Sequence, residues 1–428
     1  MVTTAFIYIW GKRVGAVAWD STQGVANFEF DTHFDSEKWQ LAPFTMPQKG
    51  VIYSFPALRD SDTFKGLPGL LADSLPDRYG KELIDVWLAQ QGRPSNSLNP
   101  VELLCFIGKR GMGALEFQPS LKTEDTSTPL ELTSLVEYTR QLLSHKEKIK
   151  VHTNEEPKDV MLDILKMGTS AGGARPKAII AYNEKTGEIR SGQSEATTDF
   201  EHWLIKFDGV NDTQFGSSHG YGRVEMAYYK MATDFGIQMT ECRLIEEEDR
   251  AHFMTKRFDR KKGNQKLHTQ TFCALQHFDY NNIMSYSYEQ LFQTMRQLKL
   301  SYSEAEEMYR RMVFNVLARN CDDHTKNFSF LMDTDGVWKL APAYDICFAC
   351  HPENKWVKQH NLSINGKRSD INKQDLLIIA SENSIRNPEV IINHCLEIIQ
   401  NWKKYAKQYK VPKELSQKID ALLIKDIK

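Results

Sequence analysis

The chain has 428 residues, too many for one hydrophobic core, and its net charge at pH 7 is −2. With 41% hydrophobic and 26% charged residues it has the composition of an ordinary globular protein, and nothing draws it electrostatically toward nucleic acid or a membrane. No apolar run is long enough to span a bilayer, and the start of the chain lacks the basic segment of a signal peptide. Seven cysteines without framework spacing favour a reduced, cytoplasmic protein.

The first part of the chain, residues 1–118, is predicted to be rich in β-structure. Apolar residues alternate in three segments separated by turns, Phe6–Trp10, Val14–Trp19 and Val25–Phe30, as in a β-meander. A helix is predicted over Gly80–Gln91.

A glycine-containing segment, Gly108–Gly113, follows an apolar run. It lacks the Walker pattern, because no Ser or Thr follows Lys109, and a tight turn between packed elements is the better interpretation. The polar stretch Gln118–Pro129 is the best candidate for a domain boundary. A helix is predicted over Leu132–Leu143.

Small residues are concentrated in Gly168–Lys177. Such a segment lets backbone N–H groups approach an anion, although a plain surface turn fits the same composition. The strand His202–Phe207 carries Lys206, whose ammonium group needs either an anionic partner or solvent at a sheet edge. A following amphipathic helix carries Glu225, which is a candidate partner for Lys206.

The most informative stretch is Asn320–Asn327, in which Asp322 precedes Asn327 by five residues. This is the spacing of a phosphoryl-transfer loop, where the Asp accepts a hydroxyl proton and the Asn holds Mg²⁺. A helix opened by a capping box of Ser303 and Glu306 is predicted before the loop. A hairpin and a further aspartate, Asp345, follow it, in the order found in protein kinases.

Several separated motifs together resemble the HipA family of bacterial serine/threonine kinases, the toxins of type II toxin–antitoxin pairs. They are Ser170–Lys177, Lys256–Arg260, the pattern N-x-D-x-H-x-K-N at 320–327, and Leu340–Asp345. The resemblance implies an α+β, two-lobed protein-kinase-like fold with an α-rich C-lobe and an appended N-terminal β-rich module. The implied domains are the module at 1–118, the N-lobe at 119–258 and the C-lobe at 259–428.

The resemblance also implies roles for individual residues. Asp322 would be the catalytic base, Asn327 and Asp345 would bind Mg²⁺, and Ser170 would be the autophosphorylated serine. The residues implied in ATP binding are Lys206, Ser170, Ala171, Gly172, Gly173, Ala174, Lys177, Lys256, Phe258, His324 and Lys326. The family often carries a glutamate where this chain has Ala227, so Glu225 or another acid could pair with Lys206.

The family's biology implies partners as well. We expect a helix-turn-helix antitoxin of the HipB type, contact with DNA mainly through it, a protein substrate, and no membrane association. An aminoacyl-tRNA ligase is the implied substrate, so translation arrest is the expected outcome.

Other interpretations compete. The segment Cys347–His351 has the C-x-x-C-H pattern of c-type haem attachment, which belongs to exported proteins, and a zinc site would need further ligands. A small-molecule phosphotransferase uses the same Asp-to-Asn spacing, and a pseudokinase could act only as a co-repressor. The lysines near the C-terminus are predicted to lie on a solvated helix face, and contact with DNA or an acidic partner is the alternative.

Overall fold

The computed structural model describes residues 2–47, 49–95, 97–120, 129–130, 176–191, 199–209, 219–247, 250–261 and 264–428. The predicted helix Leu132–Leu143 and the predicted phosphate loop up to Ala174 lie outside these residues.

The chain begins with a five-stranded antiparallel sheet. Its strands are β1 (Thr4–Ile9), β2 (Lys12–Asp20), β3 (Val25–Phe30), β4 (Ile52–Tyr53) and β5 (Leu115–Gln118), in the order β4-β3-β2-β1-β5. Alternate residues of β1 are buried, namely Ala5, Ile7 and Ile9, so the strand has one core face. The predicted meander is confirmed.

Three helices complete this N-terminal module, which we define as residues 2–118. They are α1 (Gly69–Ala72), α2 (Arg78–Gln90) and α3 (Pro100–Ile107). Asp77 and Asn99 cap α2 and α3, each accepting a backbone N–H of the first turn. Nearly all of α3 is buried, and it packs against β1, β2 and β5.

A second sheet forms the N-lobe. Its strands are β6 (Pro129–Leu130), β7 (Lys177–Tyr182), β8 (Ile189–Ser191), β9 (Glu201–Lys206), β10 (Cys242–Glu247) and β11 (Arg250–Lys256), in the order β10-β11-β9-β7-β8-β6. Helix α4 (Tyr221–Asp234) packs on β10 and β11. The predicted strand carrying Lys206 therefore lies inside the sheet, between β11 and β7, and the alternative of an edge strand is wrong.

The C-lobe follows and is mainly helical. Its helices are α5 (Phe272–Gln276), α6 (Tyr288–Gln297), α7 (Tyr302–Leu317), α8 (Lys373–Glu382), α9 (Pro388–Gln400), α10 (Trp402–Gln408) and α11 (Lys413–Leu422). Short strands β12 (His268–Thr271), β13 (Tyr286–Ser287), β14 (Ser329–Met332), β15 (Trp338–Leu340) and β16 (Leu362–Ser363) form two small sheets, β12-β14-β15 and β13-β16. The architecture is the expected α+β one.

Helix α7 is the central helix of the C-lobe, with ten buried residues. Its capping box is formed by Ser301 and Glu304, so the predicted box of Ser303 and Glu306 is wrong. Ser301 has the extended backbone of a cap residue, whereas Ser303 already lies in the first helical turn.

The N-terminal module packs directly on the C-lobe. Trp39 Nε1 donates to Thr334 O at 2.9 Å, and Trp10 Nε1 donates to Lys266 O at 2.8 Å. Asp73 accepts from both the backbone N and the side-chain Oγ1 of Thr271, at 2.6 and 2.8 Å. In the described part of the chain no helix has the length and apolarity needed to cross a membrane.

Candidate active site

Lys206, at the end of β9, lies at the centre of the site. Its Nζ is 2.5 Å from Glu225 Oε1 and 2.5 Å from Asp345 Oδ1, and 15% of its side chain is exposed. Burial alone would lower the pKa of Lys206, but the carboxylates of Asp345 and Glu225 outweigh burial and raise it. The ammonium group therefore stays charged, as phosphate binding requires.

Helix α4 brings Glu225 to Lys206, as the sequence predicted. Gly222, one turn earlier, allows this approach because a Cβ there would lie 1.9 Å from Ala251 O in β11. The helix consequently lies close against the sheet, and the Glu225 side chain is buried beside the lysine, with 6% exposed. The pairing of Lys206 with Glu225 is confirmed.

The loop 320–327 is held by buried polar contacts. Asn320 Nδ2 donates to Asn315 Oδ1 at 2.9 Å, and Cys321 N donates to Ala349 O at 2.9 Å. The carboxylate of Asp323 is fully buried, and it accepts from Tyr288 Oη at 2.9 Å and Asn361 N at 2.7 Å. Such a network fixes the backbone on both sides of Asp322.

Asp322 differs from its neighbour Asp323, because 39% of its side chain is exposed. Asn327 Nδ2 donates to the carbonyl oxygen of Asp322 at 2.6 Å, which fixes the amide and leaves its Oδ1 as a possible metal ligand. His324 Nε2 lies 3.9 Å from Asp322 Oδ1. The structure thus brings together the predicted base and one predicted Mg²⁺ ligand.

Asp345 has a left-handed backbone with φ +54°. The preceding residue anchors it, since Tyr344 Oη donates to Lys326 O at 2.6 Å and lies 2.5 Å from Ser329 Oγ. Burial opposes the charge of Asp345, whereas Lys206 and Lys177 hold its pKa below the ordinary value. A carboxylate that stays ionised at neutral pH suits a metal ligand.

The donor set fits Mg²⁺. The carboxylate of Asp345 and the amide oxygen of Asn327 are the oxygen ligands that this ion prefers, and it commonly keeps water and phosphate oxygens as its remaining ligands. Among the described residues no group of three or more His, Cys, Asp or Glu side chains forms a metal site of its own. A site of two protein ligands therefore fits a metal that arrives with a nucleotide.

The other predicted ATP-binding residues have varied surroundings. Lys256 is paired with Glu201 at 2.5 Å, and Phe258 lies against the Tyr344 ring at 5.6 Å. Lys326 lies over the Tyr280 ring at 5.1 Å, and although its burial opposes the charge, Cys273 and Asp73 raise its pKa. Ser170, Ala171, Gly172, Gly173 and Ala174 lie outside the described residues.

Two buried carboxylates near the site were not predicted from the sequence. They are Asp77 of the N-terminal module and Asp259 of the hinge. Asp77 Oδ2 lies 2.8 Å from Lys177 Nζ, with 8% and 2% of the two side chains exposed. Burial raises the pKa of Asp77, and Lys177 opposes that shift. Asp259 is buried at the hinge, where it accepts from Gly113 N at 2.7 Å and pairs with Arg257 at 2.7 Å.

The hinge contact explains the glycine-containing segment Gly108–Gly113. Arg260 donates to the carbonyl oxygens of Gly111 and Gly113, both at 3.0 Å, so this segment docks on the hinge. Burial opposes the charge of Asp259, but Arg257 and Arg260 hold its pKa far below the usual range. A tight turn between packed elements was the better interpretation.

The C-x-x-C-H segment, Cys347–His351, is partly buried in the C-lobe. Cys350 is buried and its sulfur accepts from Arg319 at 3.2 Å, whereas His351 is exposed. Cys321 lies beside Cys350 and 3.9 Å from His360 Nε2.

Comparison with known proteins agrees with this geometry. A model of the HipA-like C-terminal domain matches residues 169–421, and a model of the HipA N-terminal domain matches residues 5–118. The chain belongs to the HipA family. The division of the kinase part at residue 258 stays a prediction.

A solved structure shows the same fold over nearly the whole HipA-family chain. It is the complex of the Shewanella oneidensis MR-1 toxin–antitoxin system HipA, HipB and operator DNA, with a TM-score of 0.62 at 16% identity. The match covers 97% of this chain and 94% of that chain. The kinase-like, two-lobed fold expected from the sequence is confirmed.

Two further relatives were found. A Haemophilus influenzae protein described as "Putative kinase" is 26% identical over 143 residues, which is 30% of this chain and 42% of that protein. The chain thus spans less than half of that relative. The Helicobacter pylori proinflammatory kinase CtkA matches with a TM-score of 0.35 and 15% identity, over 59% of this chain and 90% of that one.

Proposed function

We propose that this HipA-family chain is an ATP- and Mg²⁺-dependent protein serine/threonine kinase that acts as the toxin of a type II toxin–antitoxin pair. The observation that carries the proposal is the meeting of Lys206 with Glu225 and Asp345. A buried, charged lysine held by two carboxylates, near an ordered loop that exposes Asp322, is the arrangement that phosphoryl transfer uses.

Each residue has a defined part in this mechanism. Lys206 binds phosphate oxygens, and the loop Ser170–Lys177 covers the phosphates, while Phe258 at the hinge offers an apolar face to the nucleobase. Asp345 and Asn327 would hold Mg²⁺, which when bound would offset phosphate charge. Asp322 orients the substrate hydroxyl and accepts its proton. His324, Lys326, Lys177 and Lys256 are assigned to nucleotide binding by family resemblance.

The direct test is transfer of labelled γ-phosphate from ATP to protein, followed by identification of the phosphorylated amino acid. Wild-type protein should label serine or threonine, and Asp322→Asn should not. Label on free small molecules alone would favour the alternative, a small-molecule phosphotransferase. If wild type transfers no phosphate but still represses its promoter together with the antitoxin, the chain would be a co-repressor without catalysis.

The partner is proposed to be a helix-turn-helix antitoxin of the HipB type. The HipA complex of S. oneidensis contains HipB and operator DNA, which supports a similar assembly here. The net charge of −2 agrees with an antitoxin that supplies the DNA contacts. Operator binding measured with the antitoxin alone, with this chain alone and with both should show affinity only where the antitoxin is present.

The cellular substrate is proposed to be a cytoplasmic housekeeping protein, with an aminoacyl-tRNA ligase as the expected one. Brief expression of wild type and of Asp322→Asn, followed by phosphoproteomics, identifies it. A phosphoproteome that is the same for both would contradict the protein-kinase proposal.

Autophosphorylation at Ser170 is proposed as the off-switch. A phosphate adds a charge of about −1.5 to −2 at neutral pH and would compete with ATP phosphates for the same N–H donors and lysines. Calorimetry should show weaker ATP binding by a homogeneous Ser170 phosphoprotein than by Ser170→Ala. Equal affinities would exclude the switch.

A further inference from the structure

Two lysines face each other across the central strands of the N-lobe. Lys177 of β7 is the direct cross-strand partner of Lys206 of β9, so their side chains leave the same face of the sheet. Like charges directly opposite each other destabilise a sheet unless counter-charges separate them. The arrangement therefore needs carboxylates at both positions.

The counter-charges come from different parts of the chain. Lys206 pairs with Glu225 and Asp345, which belong to the two kinase lobes. Lys177 pairs instead with Asp77 of the N-terminal module, at 2.8 Å and almost out of contact with solvent. The module thus supplies one carboxylate to the face of the sheet that is proposed to bind phosphate.

Asp77 is itself firmly placed. Its Oδ1 accepts from Gly80 N at 2.7 Å as the cap of α2, so the carboxylate is oriented with Oδ2 toward Lys177. Four residues earlier, Asp73 accepts two hydrogen bonds from Thr271 of the C-lobe. The segment 73–77 is therefore anchored to the C-lobe while it holds a strand of the N-lobe.

We propose that Asp77 is a positioning residue for the nucleotide, through which the N-terminal module holds Lys177 in place and sets the affinity for ATP. The inference rests on the proposed kinase function. Without the Asp77 charge, Lys177 and Lys206 would repel each other across the two strands, and the ammonium group of Lys177 would leave its present position on the sheet.

The test uses two variants that separate charge from helix capping. Asp77→Asn keeps an efficient cap but loses the charge, whereas Asp77→Glu keeps the charge but is a poorer cap. Binding of Mg²⁺·ATP to the full chain is measured by calorimetry. Asp77→Asn should bind at least about tenfold more weakly than wild type, as expected for loss of one partner of a buried charge pair. Asp77→Glu should stay within about threefold of wild type.

Asn99→Ala is the matched control, because it removes the cap of α3 in the same module without touching the ion pair. It should bind ATP as wild type does. Binding by Asp77→Asn equal to wild type, or weaker binding by Asp77→Glu than by Asp77→Asn, would overturn the inference. Failure of wild type to bind Mg²⁺·ATP would instead contradict the proposed function.

A second comparison covers the case in which Asp77→Asn does not fold. The double variant Asp77→Asn/Lys177→Gln removes both charges of this ion pair and should fold. It should bind ATP as weakly as Lys177→Gln alone, because the charge of Asp77 acts through Lys177. Wild-type affinity in the double variant would overturn the inference.

Discussion

Two adjacent aspartates show what single residues contribute to this protein. The side chain of Asp322 is partly exposed, whereas the carboxylate of Asp323 is buried among Tyr288, His360 and Asn361. The spacing from Asp322 to Asn327, together with the predicted helix before it and the hairpin and Asp345 after it, predicted the first aspartate as the base. The role of Asp323 could not be predicted, because its partners lie 35 to 38 residues away and leave no local pattern.

Substitution of the two aspartates should therefore give opposite results. Asp322→Asn should lower phosphate transfer by about 10²- to 10⁴-fold, since it removes the group that we propose accepts the proton. Its free energy of unfolding should be close to that of wild type. Asp323→Asn should lose about 2–4 kcal/mol of stability, because buried donors lose a charged acceptor.

Transfer assays and urea unfolding on both variants measure the two effects. An Asp322→Asn protein with near-normal transfer would show that the base has been wrongly assigned. A stable Asp323→Asn protein would contradict the structural role of the buried carboxylate.

The buried pair of Lys206 and Glu225 gives a second prediction at this scale. Glu225→Gln removes one of two carboxylates that hold the ammonium group, so Lys206 should shift toward Asp345. We expect transfer to fall by about 10- to 100-fold, as for the loss of one positioned electrostatic contact. Glu246→Gln is the control. Glu246 pairs with Arg223, which lies on the same helix as Glu225, but 53% of the Glu246 side chain is exposed. Equal rates for the two variants would contradict the positioning role of Glu225.

At the scale of elements, periodicity predicted the strands β1, β2, β3 and β9 and the helix α2 with shifts of two residues or fewer at each end. β3 begins and ends where it was expected, and β1 and β2 differ by two residues or fewer at each end. The start of α7 was misplaced because two Ser-x-x-Glu patterns overlap there and only the backbone conformation distinguishes them. The pair of Lys206 and Glu225 was a predicted contact between elements. The approach of α4 to β11 was not, since a residue such as Gly222 gives no sign of which strand its helix approaches.

One contact between elements should depend on pH. Gly69 N in α1 donates to Nε2 of His277 at 2.9 Å, at the end of α5, so this imidazole must be neutral. Burial lowers the pKa of His277 to about 4, below its ordinary value of 6.5. The folded protein therefore binds fewer protons than the unfolded chain below pH 6.5. The stability that His277 contributes is complete above pH 6.5 and is lost as pH falls toward 4.

The variant His277→Asn isolates this effect. Asparagine tolerates the left-handed backbone at this position, where φ is +56°, and it does not titrate. Between pH 7 and pH 5, urea unfolding should show a larger loss of stability for wild type than for His277→Asn. His268, whose pKa burial lowers to about 3, is present in both proteins and cancels in the difference. Parallel losses in the two proteins would contradict the prediction.

At the scale of the whole molecule, the N-terminal module is part of one folded unit with the two kinase-like lobes rather than an attachment to them. Cys273 and Met332 of the C-lobe lie in the same buried cluster as the module's strands, and Asp259 joins the hinge to Gly113. Chain length predicted more than one domain, but it could not show this association. Its contacts join residues more than a hundred positions apart, as in the pair of Gly113 and Asp259.

A shared core has a thermodynamic consequence. Because apolar side chains of both parts are buried together, exposing one part would expose the other, and we expect wild type to unfold in one calorimetric transition. Gly69→Ala should disturb this coupling, since its Cβ would lie 2.1 Å from Ala274 O in α5 and must push α1 away from the C-lobe. The variant should unfold at a lower temperature and in two resolved transitions.

Gly11→Ala is the control for a glycine substitution in the same module. Gly11 has φ +75°, and a methyl group added there would meet no atom within 4 Å, so the change costs about 1 kcal/mol of backbone strain without touching the C-lobe. It should lower the unfolding temperature slightly and keep one transition. Two transitions already in wild type would mean that the module and the kinase lobes unfold independently. That result would contradict the prediction that the module and the lobes share one cooperatively unfolding core.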